Sequence, residues 1–110
     1  MQKISLLTLT VIATAALTAE RFVTGAGVTS TAAGNSLGVT RSDAAVGEAA
    51  PVDVIGTAVV VAGGAVAVDG LVEVGADGKA VAKTAGVTVG RALTAAAVDG
   101  DRIEVLLIPN

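Results

Sequence analysis

The chain has 110 residues, a formal net charge of −3, one aromatic residue and no His, Cys, Trp or Tyr. Without imidazole or thiol, Ser-His-Asp and Cys-His nucleophile systems, thiolate zinc sites and disulfides are all excluded. The basic residues Lys3, Arg21, Arg41, Lys79, Lys83, Arg91 and Arg102 never form a run, so a nucleic-acid partner is not expected. Ala, Val, Gly and Thr supply a β-scaffold vocabulary, and a chain of this length buries roughly two-thirds of its unfolded surface as one domain. Residues 1–110 are therefore read as a single β-domain built from small side chains, which gains by burying more surface against copies of itself or a larger partner.

At the N-terminus, Lys3 followed by Ile4 to Leu17 has the outline of a short signal peptide, with Ala13-Thr14-Ala15 as a small-residue cleavage site. A membrane span is not expected, because Ser5, Thr8, Thr10 and Thr14 interrupt a stretch too short to cross. A strand accounts for the pattern better. Leu7, Leu9, Val11 and Ala13 alternate with Thr8, Thr10 and Ile12, giving an apolar face and a Thr-rich face, and β-branched Thr suits a strand. Residues 1–18 are read as an N-terminal strand or arm.

A second short strand is expected at Glu20 to Thr24, then a small-residue loop from Gly25 to Ser36, and a return to extended chain at Leu37 to Thr40. Pro51 to Ala62 is long and β-branched. Its one interruption, Gly56, marks a bend at a barrel corner. After a turn at Ala62-Gly63-Gly64, strands are expected at Ala65 to Val68, Leu71 to Val74, Lys79 to Ala82, Val87 to Leu93 and Arg102 to Ile108. Turns at Asp69-Gly70 and Gly75-Ala76-Asp77-Gly78 separate three of them. Ser42 to Val46 and Thr94 to Ala97 are each read as a helical turn behind a Ser or Thr cap. The pattern is all-β: a small compact barrel or sandwich of short antiparallel strands, with at most one or two short helical turns.

Two stretches echo one another, Leu37-Gly38 through Val54 and Val89-Gly90 through Val105. Both run from an apolar-Gly pair through Ala44-Ala45 or Ala95-Ala96 and Gly47-Glu48 or Gly100-Asp101. They end on Val52-Asp53-Val54 or Ile103-Glu104-Val105. Similar turn chemistry in two β-loop-β units accounts for this, as does a pseudo-symmetric barrel in which equivalent strands pair.

The motifs that could carry chemistry do not hold. Gly75-Ala76-Asp77-Gly78-Lys79 lacks the glycine spacing and the Ser or Thr of a phosphate loop, and lacks the further acids of a calcium loop. Asp99, Asp101 and Glu104 are the densest carboxylates, yet nothing fixes the separation that acid/base chemistry needs. Asp99-Gly100-Asp101 reads as a loop before the last strand. Glu104 is expected to face solvent or a neighbouring subunit, with Arg91 or Arg102 as an ion-pair partner. No catalytic residue, cofactor or metal is expected.

Gly56 through Val72, then Ala76-Asp77-Gly78-Lys79-Ala80-Val81, resembles the central part of tailed-bacteriophage capsid cement (head decoration) proteins. Val89-Gly90-Arg91-Ala92-Leu93, Gly100-Asp101 and Ile103-Glu104-Val105-Leu106-Leu107-Ile108 are similar to that family's closing strands. The resemblance covers residues 37 to 110 closely and the first third more loosely, through the Thr/Leu strand and Arg21-Phe22-Val23. It implies a non-enzymatic β-rich protein on the outer surface of the virion capsid, clamping neighbouring subunits of the major capsid protein, commonly as a homotrimer. The alternative is a secreted or periplasmic adhesive β-domain with a cleaved N-terminal signal.

For the contact itself, the N-terminal strand edge is the candidate, with Ser5, Leu6, Thr8, Thr10 and Ile12 as partner-binding residues that add a strand to the capsid protein. Against this stands burial of the same strand inside the domain, or its pairing with a sister subunit. Core burial is the stronger expectation for Leu7, Leu9 and Val11, which are among the larger apolar residues available. The loop Gly25 to Ser36 is a second candidate contact.

Overall fold

The computed structural model describes residues 1–110. Eight strands follow one another: β1 (Ser5–Ile12), β2 (Phe22–Val23), β3 (Gly38–Thr40), β4 (Ala49–Val61), β5 (Leu71–Val74), β6 (Ala80–Ala82), β7 (Gly90–Ala92) and β8 (Arg102–Leu107). The molecule is all-β, and its one helical element is a 3-10 turn at Ala76–Gly78 between β5 and β6. Every strand pair is antiparallel, in the order β2-β3-β4-β8-β7-β5-β6, with β1 joined to β4.

The long strand β4 organises this sheet. Its first half lies between β1 and β3, and its second half pairs with β8. The bend between the halves is at Gly56, where φ is +109° and a Cβ would lie 2.1 Å from the carbonyl oxygen of Ile4. Only glycine combines that backbone with so close a crossing chain.

Around β4 the same unit is built twice. Val11 pairs with Ala50 as Val60 pairs with Ile103, and Phe22 with Val39 as Leu71 with Arg91. Thr40 faces Val52 as Ala92 faces Val105. The isolated bridges Leu17–Ala44 and Val66–Ala96 correspond as well. So do the left-handed residues Glu20 and Asp69, at φ 62° and 66°. Each unit then closes on itself. Thr14 N–H donates to Gly27 in the first, and Gly63 N–H donates to Ala80 in the second. The result is two small, nearly closed barrels side by side in a body of 36 × 25 × 23 Å, with β4 in both.

The cores obey the same repeat. The first barrel encloses Val11, Ala13, Leu17, Val23, Ala44, Ala50 and Val52. The second encloses their counterparts Val60, Ala62, Val66, Val72, Ala96, Ile103 and Val105, within a larger cluster that also takes in Phe22 and Val39 from the first unit. Phe22 and Val39 project outward from their own barrel, because residues adjacent along a strand face opposite ways. They are fully buried between the units. The only aromatic side chain thus joins the two halves, and apolar burial of that size is among the larger single contributions to stability.

Several expectations are corrected. Ala65 to Val68 is not a strand but a single bridge at Val66, and Val87 to Leu93 contracts to β7. Ser42 to Val46 and Thr94 to Ala97 are not helical turns. Each crosses to the start of its own barrel through one bridge, where Ala44 and Ala96 are buried. The echo is a structural repeat, but its acids were aligned wrongly: Asp53 corresponds to Leu106, not to Glu104. Equivalent short strands such as β3 and β7 do not pair with each other.

Substituting Gly56 by Ala tests the shared-strand bend. Left-handed strain and the clash with Ile4 together should lower the unfolding free energy by ~3 kcal/mol. Gly64→Ala, where a Cβ meets nothing within 4 Å, should stay close to wild type. Urea unfolding reads both, and equal midpoints would show that the bend needs no glycine.

Candidate association site

β1, with Ile4 just before it, carries five of the thirteen exposed large apolar side chains. Leu6 is 75% and Ile12 57% exposed, Leu7 and Leu9 are about two-fifths exposed, and Ile4 adds to them. The expectation that Leu7 and Leu9 enter the core is therefore corrected. Val11 and Ala13 of the same row are buried, because the first barrel narrows and closes around Thr14 and Gly27. The N-terminal half of the strand stands at the open end. A register shift between Ser5 and Thr8 also interrupts the regular ladder there.

Of the residues read as partner-binding, Leu6, Thr8, Thr10 and Ile12 are exposed and Ser5 is half-buried. The Ser5 and Thr8 hydroxyls lie 2.8 Å apart. Thr8 Oγ1 donates to Asp53 Oδ1 at 3.0 Å. One edge of β1 is taken by β4. The opposite edge is open, because N–H groups alternate in direction along an antiparallel strand and Ala13 N–H already points to β4, donating to Glu48. Thr8 and Thr10 then direct their main-chain groups away from the sheet. Neither takes part in any main-chain bond outside the strand ladders.

Asp53, on β4 opposite Thr8, has no exposed surface. Arg41 Nε donates to its Oδ1 at 2.8 Å, while Lys3 Nζ stands 3.7 Å from Oδ2, an ionic contact longer than a hydrogen bond. A buried carboxylate needs such partners to offset its desolvation. Here they clamp the N-terminal segment and the chain after β3 to the shared strand, holding β1 in place. Sequence reading noted Asp53 only within the echo. The detectable signal was an acid at a strand position flanked by valines.

Glu73 is the second buried carboxylate that was missed, and its flanks, Val72 and Val74, carry the same signal. The Thr84 N–H holds its carboxyl below the ordinary value of 4.5; burial opposes this, and the Gly86 N–H, the Thr84 hydroxyl and Lys83 reinforce it. The loop it anchors is part of the joint between barrels, since Val87 N–H donates to Ala33 and Ala33 N–H to Val74. The stretch Gly25 to Ser36 is accordingly a built element, with a bridge between Val23 and Thr29 that completes the first barrel.

The other acids are structural. Asp101 accepts from the N–H groups of Ala97 and Val98, and Asp99 pairs with Lys79 at 3.0 Å. Glu104 is buried, contrary to the expectation of a solvent-facing side chain, and accepts from Gln2 N–H. Arg102 pairs with Glu20 rather than with these acids. An open groove of about 390 Å³ lies between Leu37, Val54, Ile55 and Pro109, with Asn35 and Asn110 at its rim, and no titratable side chain lines it.

Fold and surface together define a small β-protein whose notable feature is an exposed, largely apolar edge strand. The chain belongs to the phage cement protein family, whose sequence profile matches residues 1–107. No curated protein sequence matches it. In three dimensions it is similar to the head fiber gp8.5 N base of bacteriophage phi29, with a TM-score of 0.74 over 93% of each chain at 20% sequence identity. That likeness establishes the fold, and family membership establishes a structural role associated with the phage capsid.

Glu73 makes the acid limb of stability testable. With its carboxyl depressed in the folded state, the unfolded chain protonates first. The stability it contributes is present above pH 4.5 and is lost as pH falls through the lower folded value. Glu73→Gln should therefore flatten the decline of urea midpoints below about pH 4.5. An unchanged acid slope would remove Glu73 from the account.

Proposed function

We propose that this chain is a cement protein of the outer head surface, which binds a tailed-phage shell and stabilises contacts between neighbouring subunits of the major capsid protein. The observation that carries this reading is an uncharged, largely apolar edge strand on the outside of two nearly closed barrels, within a chain of the phage cement family. The barrels present the surface; they have no chemistry to perform. The strip Ser5, Leu6, Thr8, Thr10 and Ile12 is the association surface, acting through main-chain hydrogen bonds and burial of apolar side chains. A net charge of −3 suits a protein that binds other protein on the shell and does not touch the packaged genome.

Multivalent attachment supports this role, since each further contact between linked copies and the shell acts at a raised effective concentration. The alternative, a secreted domain that sheds its N-terminus at Ala15, would lose β1 and leave the first barrel open along β4.

Heads of the parent phage stripped of this protein provide the test. Purified protein added back should co-sediment with the heads and raise the temperature at which they release DNA. A protein that remains in the supernatant, with heads no more heat-stable than before, would overturn the reading.

A further inference from the structure

The joint between the barrels shows how one unit holds another. Ala33, from the first unit, bridges two segments of the second barrel: its N–H donates to Val74 at 2.8 Å and its C=O accepts from Val87 at 3.1 Å. The corresponding residues of the first barrel are Gly25 and Asn35, because Leu37 N–H donates to Val23 as Val89 N–H donates to Val72. Gly25 C=O and Asn35 N–H take part in no main-chain bond, and both residues line the groove beside Leu37 and Val54. The apolar wall of the groove is uncovered as well. Leu37 and Val54 are half-buried, whereas their counterparts Val89 and Leu107 are buried.

The repeat also supplies a segment that fits. Counting back from Asn35 and Val87, Ala33-Gly34 corresponds to Ala85-Gly86. Ala85 is exposed, and neither its N–H nor its C=O has a partner in the chain. The N–H groups on either side, of Thr84 and Gly86, donate to Glu73, which fixes the loop and leaves Ala85 as its free residue. We propose that the Thr84–Gly86 loop of one copy docks in the groove of the next, with Ala85 N–H donating to Gly25 C=O and Asn35 N–H donating to Ala85 C=O. The inference goes beyond the cement reading: it leaves β1 free for the shell and names what links the copies.

The contact satisfies four main-chain groups with two hydrogen bonds and lays a small side chain against Leu37 and Val54. Space at the internal joint is tight, since a Cβ at Gly86 would lie 2.8 Å from Ala33. Gly34 stands at the equivalent place in the receiving copy. Loop and groove lie on different barrels, so each copy gives its loop to one neighbour and receives the loop of another. Such a heterologous contact closes into a ring when the angle permits, and the homotrimer implied by the sequence resemblance is a ring of this kind. The angle is not that of the internal joint, where β4 runs through both units and Ala33 has a left-handed φ of 63° that Ala85 does not share. Between copies, the loop and the groove alone set it.

Cross-linking between two variants tests the pairing on the whole protein in the absence of heads. The chain contains no cysteine, so Gly25→Cys and Ala85→Cys each introduce one thiol. A Cβ at Gly25 meets only Leu37, at 4.0 Å. Residues bonded to each other across paired main chain have Cα atoms about 5.5 Å apart, within disulfide range. Mild oxidation of an equimolar mixture should give the mixed disulfide roughly tenfold faster than either variant dimerises alone, or than Val98→Cys, on an exposed loop, cross-links to Gly25→Cys. Sedimentation velocity of the unmodified protein should give a trimer. Ala85→Lys changes an exposed residue but sets a charge against Leu37 and Val54, and should give a folded monomer. A mixed disulfide no faster than the controls, a monomeric or dimeric wild type, or a trimer that persists in folded Ala85→Lys would each overturn the proposal. Co-sedimentation with stripped heads separates this from the function. A trimer that ignores heads contradicts only the cement reading. A monomeric wild type whose head binding is lost in Ala85→Lys assigns the loop to the shell and overturns the pairing between copies.

Discussion

The whole molecule depends on one strand serving two barrels. β4 closes the first unit as its last strand and opens the second as its first, so the register it sets on one side of Gly56 is carried to the other. A strand can change barrels only by bending sharply, and the crossing chain at Ile4 leaves no room for a side chain at the bend. The small Ala and Val side chains of the two cores follow from this geometry, since each barrel has few strands and a narrow interior. Neither barrel is complete without β4, and the barrels are further joined by Phe22 and Val39.

From the shared strand comes the asymmetry on which the proposed function rests. The second barrel receives the first against its opening strand, along with an aromatic anchor. The equivalent positions on the far side, Leu71 and Arg91, are left exposed. Within residues 1–110 no main chain covers β1 at Thr8 and Thr10, so the strand has an open edge and exposed Leu and Ile side chains. Such an edge is a liability in an isolated monomer, because it templates pairing with other chains. In the proposed cement role it would be a means of attachment. The absence of His, Cys, Tyr and Trp fits a molecule that acts through its surface and stability.

Two buried carboxylates show how a small apolar core still holds its loops. Asp53 gathers Thr8, Arg41 and Lys3 onto β4, and Glu73 gathers the N–H groups of Thr84 and Gly86 beside the joint between barrels. In both cases the charge is placed where irregular chain would otherwise leave donors unsatisfied. Neither residue has a neighbour in sequence that reveals its partners. The clamps join segments that come together only once the barrels have formed.

Local chemistry made much of the fold legible. Alternation located β1, β4, β5 and β8, Gly56 marked the bend, and the Asp and Gly turns were read in place, because each signal depends on a residue's own backbone preference or on neighbours two positions away. The same alternation misplaced Ala65 to Val68 and the side chains of Leu7 and Leu9. Period two states which residues share a face, whereas burial depends on whether another strand lies over that face, and that is set by where each barrel closes. The echo revealed a repeat but not its alignment, since a one-residue difference in loop length moves every later pairing. By itself the sequence determined an all-β chain of small side chains turning at glycines. Only the tertiary structure decided that these strands form two barrels on one shared strand and that β1 is left open, because strand pairing is a long-range contact that no local pattern encodes.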